Sequence, residues 1–390
     1  MRAALSVLVF LASFLAVNRL VVRAVPLPVE TGLRAKVVFA EQHLDAYDAF
    51  FLGSSATLYG IRPETFEDEL ARSGHPGMRV CNLGVGGMGS FEGAKVLRDV
   101  LAHAGERLAY VFYEEPLFDA LLWYPEIVNP RYVHWHDTRS TLDAIDALRF
   151  APGPPEYKRE AYVSHWLNRG PAWLPDAARG WVGEVTGGGW RRANAWEHVR
   201  LWARRESAIA EGAGIATAFL GRDDVWPTEA RMAERRGWMD IADDPDPGAQ
   251  RQHERFVADA AGWQATLQGL RDAEGQRPAI EGNYDVDSLR DALAEIRRTG
   301  AEPIVFVAPR TTPSPMMNAL EDAGEIPVLF QFNAPTRYPE LDDMSLRWDP
   351  NHLNERGAKT WSRLFARRFA RYLDESGRTA LRTPGPPETR

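Results

Sequence analysis

The chain has 390 residues, of which 45% are hydrophobic and 26% are charged, a mixture that can bury a sizeable core. Its 54 acidic and 46 basic residues give a formal net charge of -8 without a long Lys/Arg run, which argues against nucleic acid as a partner because phosphate binding needs a clustered positive surface. The single cysteine, Cys81, excludes an intrachain disulfide and a cysteine-based zinc site.

Residues 1–25 are predicted to be a membrane anchor or signal segment. Positions 3–17 form an unbroken run of small and apolar residues, and Asn18 and Arg19 separate it from a second apolar patch. The whole stretch spans a bilayer only if these two polar residues lie near the interface. No clear cleavage site follows, which favours an uncleaved single-pass anchor. The basic residues after the run would by themselves place the body of the protein in the cytoplasm. The alternative to an anchor is a buried N-terminal helix of a soluble protein.

From residue 46 onward, short apolar runs alternate with amphipathic stretches, which is typical of an α/β protein with a mainly parallel sheet. Two separate parts carry this pattern, residues 26–116 and residues 276–375. The predicted strands are 48–53, 78–84, 108–115, 303–309 and 326–332, and the predicted helices are 91–103, 286–298, 316–323 and 354–373. Residues 376–390 form a Pro-rich tail that is predicted to be disordered.

Between the two parts, residues 117–275 are predicted to be a mainly helical insertion. It holds 11 of the 13 tryptophans. Large aromatic side chains are normally buried, so packing is the favoured interpretation. The alternative is that some of them stack on sugar rings or line a substrate cleft; the candidates are Trp123, Trp135, Trp173, Trp190 and Trp196.

Two short segments have the residue types of a nucleophilic relay. Gly53-Ser54-Ser55 follows the first predicted strand, where a tight turn exposes the Ser55 hydroxyl and leaves its N–H free for an oxyanion. Asp349 and His352 are separated by two residues and follow the last predicted strand. One loop can therefore present a base and the carboxylate that fixes its tautomer. Both segments fall beyond the carboxyl ends of strands, where doubly wound sheets place their sites.

At these residues the chain resembles the SGNH/GDSL hydrolase superfamily. Ser55 matches the family nucleophile, and the D-x-x-H block supplies Asp349 and His352. The NLGVGGMG segment matches the second block, with Asn82 leading and Gly87 as the oxyanion-hole donor beside the Ser55 N–H. The third block departs from the pattern, because Glu115 and Pro116 stand where Gly and Asn would be expected, and that donor is missing.

The resemblance implies a flavodoxin-like, three-layer α/β/α SGNH fold and a serine esterase or O-acyltransferase that needs no metal or organic cofactor. It is nearest to membrane-associated SGNH-like proteins of exopolysaccharide O-acetylation and D-alanyl transfer. That implies an acylated glycan or another ester as substrate, an extracytoplasmic body and a membrane-bound acyltransferase as partner. Weaker substrate-contact candidates on the same rim are Arg310, Glu114 and Tyr59. The alternative is a non-catalytic SGNH-fold module that binds glycan or scaffolds an assembly.

The NLGVGGMG segment also satisfies the dinucleotide pattern G-x-G-x-x-G, with Glu114 or Glu115 ending the next strand. That fingerprint normally follows the first strand of its fold, with its acid about 20 residues later. Here a strand already precedes it and the acids lie further away, so the oxyanion-hole interpretation is favoured.

Overall fold

The computed structural model describes residues 31–115, 130–149, 190–206, 234–244, 247–280 and 284–381, together with four separate positions near the start, 6, 9, 13 and 16. Most of the predicted anchor, much of the predicted insertion and residues 382–390 of the predicted tail lie outside the described residues. Among the helices that the structure describes, none combines the length and the apolar character needed to cross a membrane.

Internal contacts group the chain into two units. The smaller one includes the described ranges 130–149 and 190–206, and the larger one includes 31–115 and the described residues from 234 onward. The described residues between 234 and 275, which the sequence prediction counted within the insertion, group with the larger unit.

The larger unit contains a five-stranded parallel sheet with the order β2-β1-β3-β4-β5. The strands are β1 (Ala49–Leu52), β2 (Val80–Asn82), β3 (Tyr110–Glu114), β4 (Glu302–Val307) and β5 (Leu329–Gln331). All five predicted strands are therefore present, with shorter bounds. The register sets Phe51 beside Phe112 and Phe112 beside Ile304, so the carboxyl ends of these strands meet at one edge.

Both faces of the sheet are buried. Side chains alternate along a strand, so Phe51 and Phe112 lie on one face while Phe50 and Val111 lie on the other, and all four are fully buried. Strands buried on both faces need apolar residues at nearly every position, which is why they are continuous apolar runs in the sequence. The sheet is consistent with a three-layer α/β/α arrangement.

The helices of the larger unit are α1 (Thr31–His43), α2 (Ser55–Gly60), α3 (Pro63–Arg72), α4 (Ser90–Leu101), α8 (Pro247–Ala258), α9 (Ala260–Ala273), α10 (Tyr284–Arg298), α11 (Pro315–Asp322) and α12 (Glu355–Ser376). The terminal helix α12 contacts α2 and α3, and its Phe365 and Phe369 pack among the phenylalanines of β1 and β3. Helix α4 contacts α1 and α10, and α10 contacts β4.

The smaller unit contains α5 (Pro130–Trp135), α6 (Thr138–Ala147) and α7 (Trp190–Glu206). Trp135 is buried and stacks on His136, whose Nε2 lies 2.9 Å from His198 Nδ1. Of the tryptophans that the sequence proposed for a cleft, Trp135 is thus a packing residue, whereas Trp196 is 60% exposed. Trp123 and Trp173 lie outside the described residues, and the side chain of Trp190 is not described.

Candidate active site

The turn after β1 carries Ser55 as the first residue of α2. Ser54 caps this helix, because its hydroxyl accepts a hydrogen bond from the Ala56 N–H at 3.2 Å. Gly53 is required at the turn, since a Cβ there would come within 2.2 Å of side-chain oxygens of Glu114 and Thr57. The Gly-Ser-Ser sequence therefore lets the backbone pass close to neighbouring side chains and places Ser55 at the start of a helix.

Ser55, His352 and Asp349 form a continuous hydrogen-bonded chain. Ser55 Oγ lies 2.7 Å from His352 Nε2, and His352 Nδ1 lies 2.7 Å from Asp349 Oδ2. A carboxylate can only accept, so Nδ1 carries the proton and Nε2 is free to accept from the Ser55 hydroxyl. This is the geometry in which an imidazole can remove the hydroxyl proton of a nucleophile.

The second oxygen of Asp349 fixes the loop that carries the relay. Its Oδ1 accepts the backbone N–H groups of Asn351 at 2.8 Å and His352 at 3.0 Å. Burial by itself raises the pKa of Asp349, but the hydrogen bond to His352 and the two N–H bonds outweigh burial and hold that pKa below its usual value. The carboxylate is therefore ionised at neutral pH and able to stabilise an imidazolium.

Tyr59 supports the imidazole from the side. Its ring meets the His352 ring edge to face, with centroids 5.5 Å apart, and its hydroxyl donates to Asp244 Oδ2 at 2.6 Å. The side chain is 5% exposed. Tyr59, which the sequence proposed as a substrate contact, therefore lies buried against the His352 ring, and its hydroxyl is bound to Asp244.

The loop after β2 runs beside the Ser55 turn. The Val85 N–H donates to the Gly53 carbonyl at 2.9 Å, and the Asn82 side chain donates to the carbonyls of Thr57, within α2, and of Ile61, directly after it. Asn82 Oδ1 also accepts the Gly84 N–H at 2.8 Å. Asn82 thus ties the loop after β2 to the helix that begins with Ser55.

Gly87 lies at the exposed tip of this loop. A turn from Val85 to Met88 is closed by a hydrogen bond of 3.2 Å, and Gly87 has a φ of 64°, which matches the glycine position of a type II turn. A left-handed backbone is unfavourable for other residues, so glycine is needed here. Gly87 therefore lies on the loop tied to the Ser55 turn, with its backbone exposed.

Glu114 and Glu115, at the end of β3, lie in a buried polar network. Glu114 accepts from Ser54 N–H at 2.7 Å and from the Ser54 and Thr57 hydroxyls at 2.8 and 2.5 Å. Glu115 accepts from Arg310 Nη2 and from the Ser314 hydroxyl, both at 2.5 Å. Both acids of the dinucleotide alternative are therefore engaged inside the protein.

Arg310 lies inside this network and is 5% exposed. Its Nη1 is 3.6 Å from Glu114 Oε1, and its Nε has no acceptor among the described residues. Burial raises the pKa of Glu115, although Arg310 and the Ser314 hydroxyl oppose that rise. Glu114 and Arg310, which the sequence proposed as rim contacts, are thus buried beside the turn that carries Ser55.

Arg347 is a residue of the site that the sequence interpretation missed. Its buried guanidinium donates to the carbonyls of Leu341, Pro309 and Pro350 at 2.9 to 3.0 Å. Burial lowers the pKa of Arg347 to about 10, although two nearby carboxylates oppose this shift. The side chain therefore clamps the relay loop to the end of β4. A buried arginine is rare, but no sequence pattern distinguishes it from an exposed one.

Trp348 anchors the same loop to α8. Its indole N–H donates to the Ala249 carbonyl at 3.0 Å, and its ring stacks on His253 with centroids 4.3 Å apart. His253 Nδ1 in turn lies 2.7 Å from the Trp348 carbonyl. Helix α8 is thus part of the support of the relay.

Across the described ranges, no three His, Cys, Asp or Glu side chains are grouped so that they could hold a metal ion. Comparison with known protein families finds no matching family model, and comparison with curated proteins finds no sequence that matches significantly.

Proposed function

We propose that this protein is an SGNH-type serine esterase or O-acyltransferase that works through an acyl-serine intermediate. The observation that carries the proposal is the chain of hydrogen bonds from Ser55 to His352 to Asp349, with both contacts at 2.7 Å. The strand order 2-1-3-4-5 is that of flavodoxin-like sheets, and the relay lies beyond the carboxyl ends of the strands, which supports the same assignment.

The reaction follows from the geometry in two stages. Ser55 Oγ attacks the acyl carbonyl while its proton passes to His352 Nε2, and Asp349 stabilises the imidazolium. The proton then moves to the departing alkoxide as the ester C–O bond breaks, leaving an acyl-Ser55. In the second stage, water or an acceptor hydroxyl gives its proton to His352 Nε2 and attacks the acyl carbonyl. The bond between the acyl carbon and Ser55 Oγ then breaks, and His352 returns the proton to Ser55 Oγ. His352 Nε2 is the group that takes and returns the proton in each step, while Asp349 stays ionised.

The oxyanion is assigned to two backbone donors, the N–H groups of Ser55 and Gly87. The usual third donor is absent from the sequence, because Glu115 follows β3 where the resemblance would place Gly before the donor Asn. One such donor is worth about 2.7 to 4 kcal/mol of transition-state stabilisation. We therefore expect slow turnover of simple esters.

The substrate class and location come from the resemblance and from the N-terminal sequence. We infer an acyl ester of a cell-surface glycan, a single-pass anchor within residues 1–25 and an extracytoplasmic body. A membrane-bound acyltransferase would then supply the acyl group. These inferences rest on analogy with the acylation proteins that the chain resembles.

A specific observation favours the second candidate, a non-catalytic module that binds glycan or scaffolds an assembly. Glu114 and Glu115 occupy the third block and are both engaged in buried hydrogen bonds. A site that has lost a donor for its oxyanion can persist as a binding surface.

The test compares the full-length protein with its Ser55→Ala variant, using hydrolysis of p-nitrophenyl acetate and labelling by a fluorophosphonate. We expect wild-type labelling at Ser55 and a loss of hydrolysis by at least about 10³-fold in the variant. Ser376→Ala is the matched control, because it removes an exposed hydroxyl near the end of α12. Equal rates for wild type and Ser55→Ala, without labelling, would favour the non-catalytic module.

A further inference from the structure

Glu114 gathers its hydrogen bonds from the residues on either side of the nucleophile. Its Oε2 accepts from the Ser54 N–H and the Thr57 hydroxyl, and its Oε1 accepts from the Ser54 hydroxyl. Ser54 precedes Ser55 and Thr57 follows it by two residues. The carboxylate therefore holds both ends of the short segment that presents the Ser55 hydroxyl.

The backbone is shaped to admit this carboxylate. A Cβ on Gly53 would come 2.2 Å from Glu114 Oε2, a contact that no side chain tolerates. Thr57 and Glu114 are both buried, at 0% and 3% exposure. Gly53, two residues before Ser55, is thus needed for the close approach of Glu114, in addition to any role in the turn.

The α2 helix needs an external anchor. It has six residues, and a helix of this length has little stability of its own. Its direction is therefore set by side-chain contacts. Glu114 binds Ser54 before the helix and Thr57 within it, and Asn82 binds the carbonyls of Thr57 and of Ile61 directly after it. An error of about 1 Å in the position of a reacting atom costs about 10²-fold in rate.

The charge of Glu114 is balanced within the same network. Arg310 Nη1 lies 3.6 Å from Glu114 Oε1, while Arg310 Nη2 is held at 2.5 Å by Glu115. The Ser314 hydroxyl adds a further bond to Glu115. Glu115 and Ser314 therefore keep Arg310 in place, and Arg310 compensates a carboxylate that would be costly to bury alone.

We propose that Glu114 is the positioning residue of the nucleophile: it accepts three hydrogen bonds from Ser54 and Thr57 and thereby holds the Ser55 hydroxyl within reach of His352. This inference rests on the proposed function. The end of β3, which in the resembled family leads into a donor for the oxyanion, here supplies an acceptor that orients the nucleophile.

The test uses two substitutions that a structural role and a positioning role affect differently. Glu114→Ala removes all three acceptors, and we expect the Ser55–His352 contact to lengthen beyond 3.5 Å and kcat to fall about 10²-fold with KM little changed. Glu114→Gln keeps an oxygen for the Ser54 N–H and the Thr57 hydroxyl, and its amide can donate to the Ser54 hydroxyl. We expect it to retain the contact and to restore kcat to within about tenfold of wild type.

The measurements are crystal structures of the full-length variants, steady-state ester hydrolysis and thermal unfolding. Glu69→Gln is the control, because Glu69 is another buried carboxylate with arginine partners, Arg72 and Arg367, in a different part of the fold. It should leave kcat unchanged. Should Glu114→Ala fail to fold, Thr57→Val removes one donor and is expected to lengthen the same contact to a smaller extent.

A folded Glu114→Ala with an unchanged Ser55–His352 distance would overturn the inference, and so would a Gln variant as defective as the Ala variant. The Ser55–His352 distance in the crystal structures tests the inference independently of activity. If the contact moves as expected but the wild type hydrolyses no ester and takes no label, the positioning inference stands and the proposed function fails.

Discussion

Asp349 shows how a single side chain can set both the chemistry and the pH behaviour of the relay. One oxygen holds the imidazole at 2.7 Å, and the other holds two backbone N–H groups of the loop. The hydrogen bonds favour the ionised form over the protonated form, which is why the pKa of Asp349 lies below its usual value despite burial.

Replacing Asp349 by Asn should lower kcat by about 10⁴-fold, because an amide can present the wrong partner to Nδ1 and so select the wrong tautomer. Both Asp and Asn offer a side-chain oxygen that can accept the backbone N–H groups of the loop, so the fold should be retained. The measurement is kcat for ester hydrolysis with circular dichroism as the check of folding. Activity within tenfold of wild type would show that Asp349 does not hold the base.

The same pair of proteins tests the pH dependence. Since the pKa of Asp349 is lowered on folding from an unfolded value of 3.8, its stabilising effect is full above that value and is lost as the pH falls through the lower, folded value. In urea unfolding, the difference in unfolding free energy between wild type and Asp349→Asn should shrink steadily below about pH 4. A difference in unfolding free energy that does not change with pH would contradict the lowered pKa of Asp349.

At the scale of elements, the relay loop is held by Arg347. It joins the segment before the loop, the end of β4 and the loop itself through three carbonyls, and it stacks over the Trp263 ring of α9 at 4.6 Å. A buried carbonyl without a donor costs about 1 to 3 kcal/mol. The loop that carries Asp349 and His352 therefore depends on one guanidinium.

Arg347→Met should lower the free energy of unfolding by about 2 to 4 kcal/mol and slow fluorophosphonate labelling of Ser55. Arg347→Lys should not rescue it, because an ammonium lacks the fork of donors that spans separate carbonyls. The measurement is urea unfolding. Arg337→Met, at an exposed position ten residues earlier, is the control. A Met variant as stable as that control would show that the clamp contributes nothing.

The sequence predicted the strands well because their signal is local. Continuous apolar runs such as 303–309 can be buried on both faces of a parallel sheet, and all five predicted strands are present. The placement of Ser55 and of the D-x-x-H block after predicted strands is also a local signal, whereas the 2.7 Å contact between Ser55 and His352 depends on the order of the strands in the sheet.

The supporting network could not be predicted, because its partners are determined by tertiary contacts. Glu114 was proposed as a rim contact, yet its three donors come from a turn 57 to 60 residues earlier. The sequence around Arg347 does not show that its side chain is buried, because buried and exposed arginines have no distinct pattern. Helices α8 and α9 have helical periodicity, but periodicity does not tell against which surface a helix packs.

At the scale of the whole molecule, the site is closed by residues from both ends of the sheet-forming sequence. Ser55 and His352 are separated by 297 positions. A second long-range connection lies on α1, where the buried Lys36 donates to the carbonyl of Asn82 at 2.7 Å and to that of Gly237. Asn82 is the residue that ties α2 to the loop after β2. Lys36 therefore links α1 and the segment after residue 234 to the support of the helix that begins with Ser55.

Lys36 makes the stability of the fold depend on pH. Burial lowers its pKa from 10.5 to about 7, with the nearby Cys81 opposing the shift. Between these values the unfolded chain holds a proton that the folded protein lacks, so the free energy of unfolding should rise with pH. Lys36→Met removes this dependence. In urea unfolding, the free energy of unfolding of wild type should rise by about 3 kcal/mol relative to that variant between about pH 7 and pH 9.5. The control is Lys359→Met, which replaces a partly exposed lysine of α12. Its free energy of unfolding should change with pH as that of wild type does. A constant difference between wild type and Lys36→Met across that range would mean that Lys36 keeps its ordinary pKa in the folded protein.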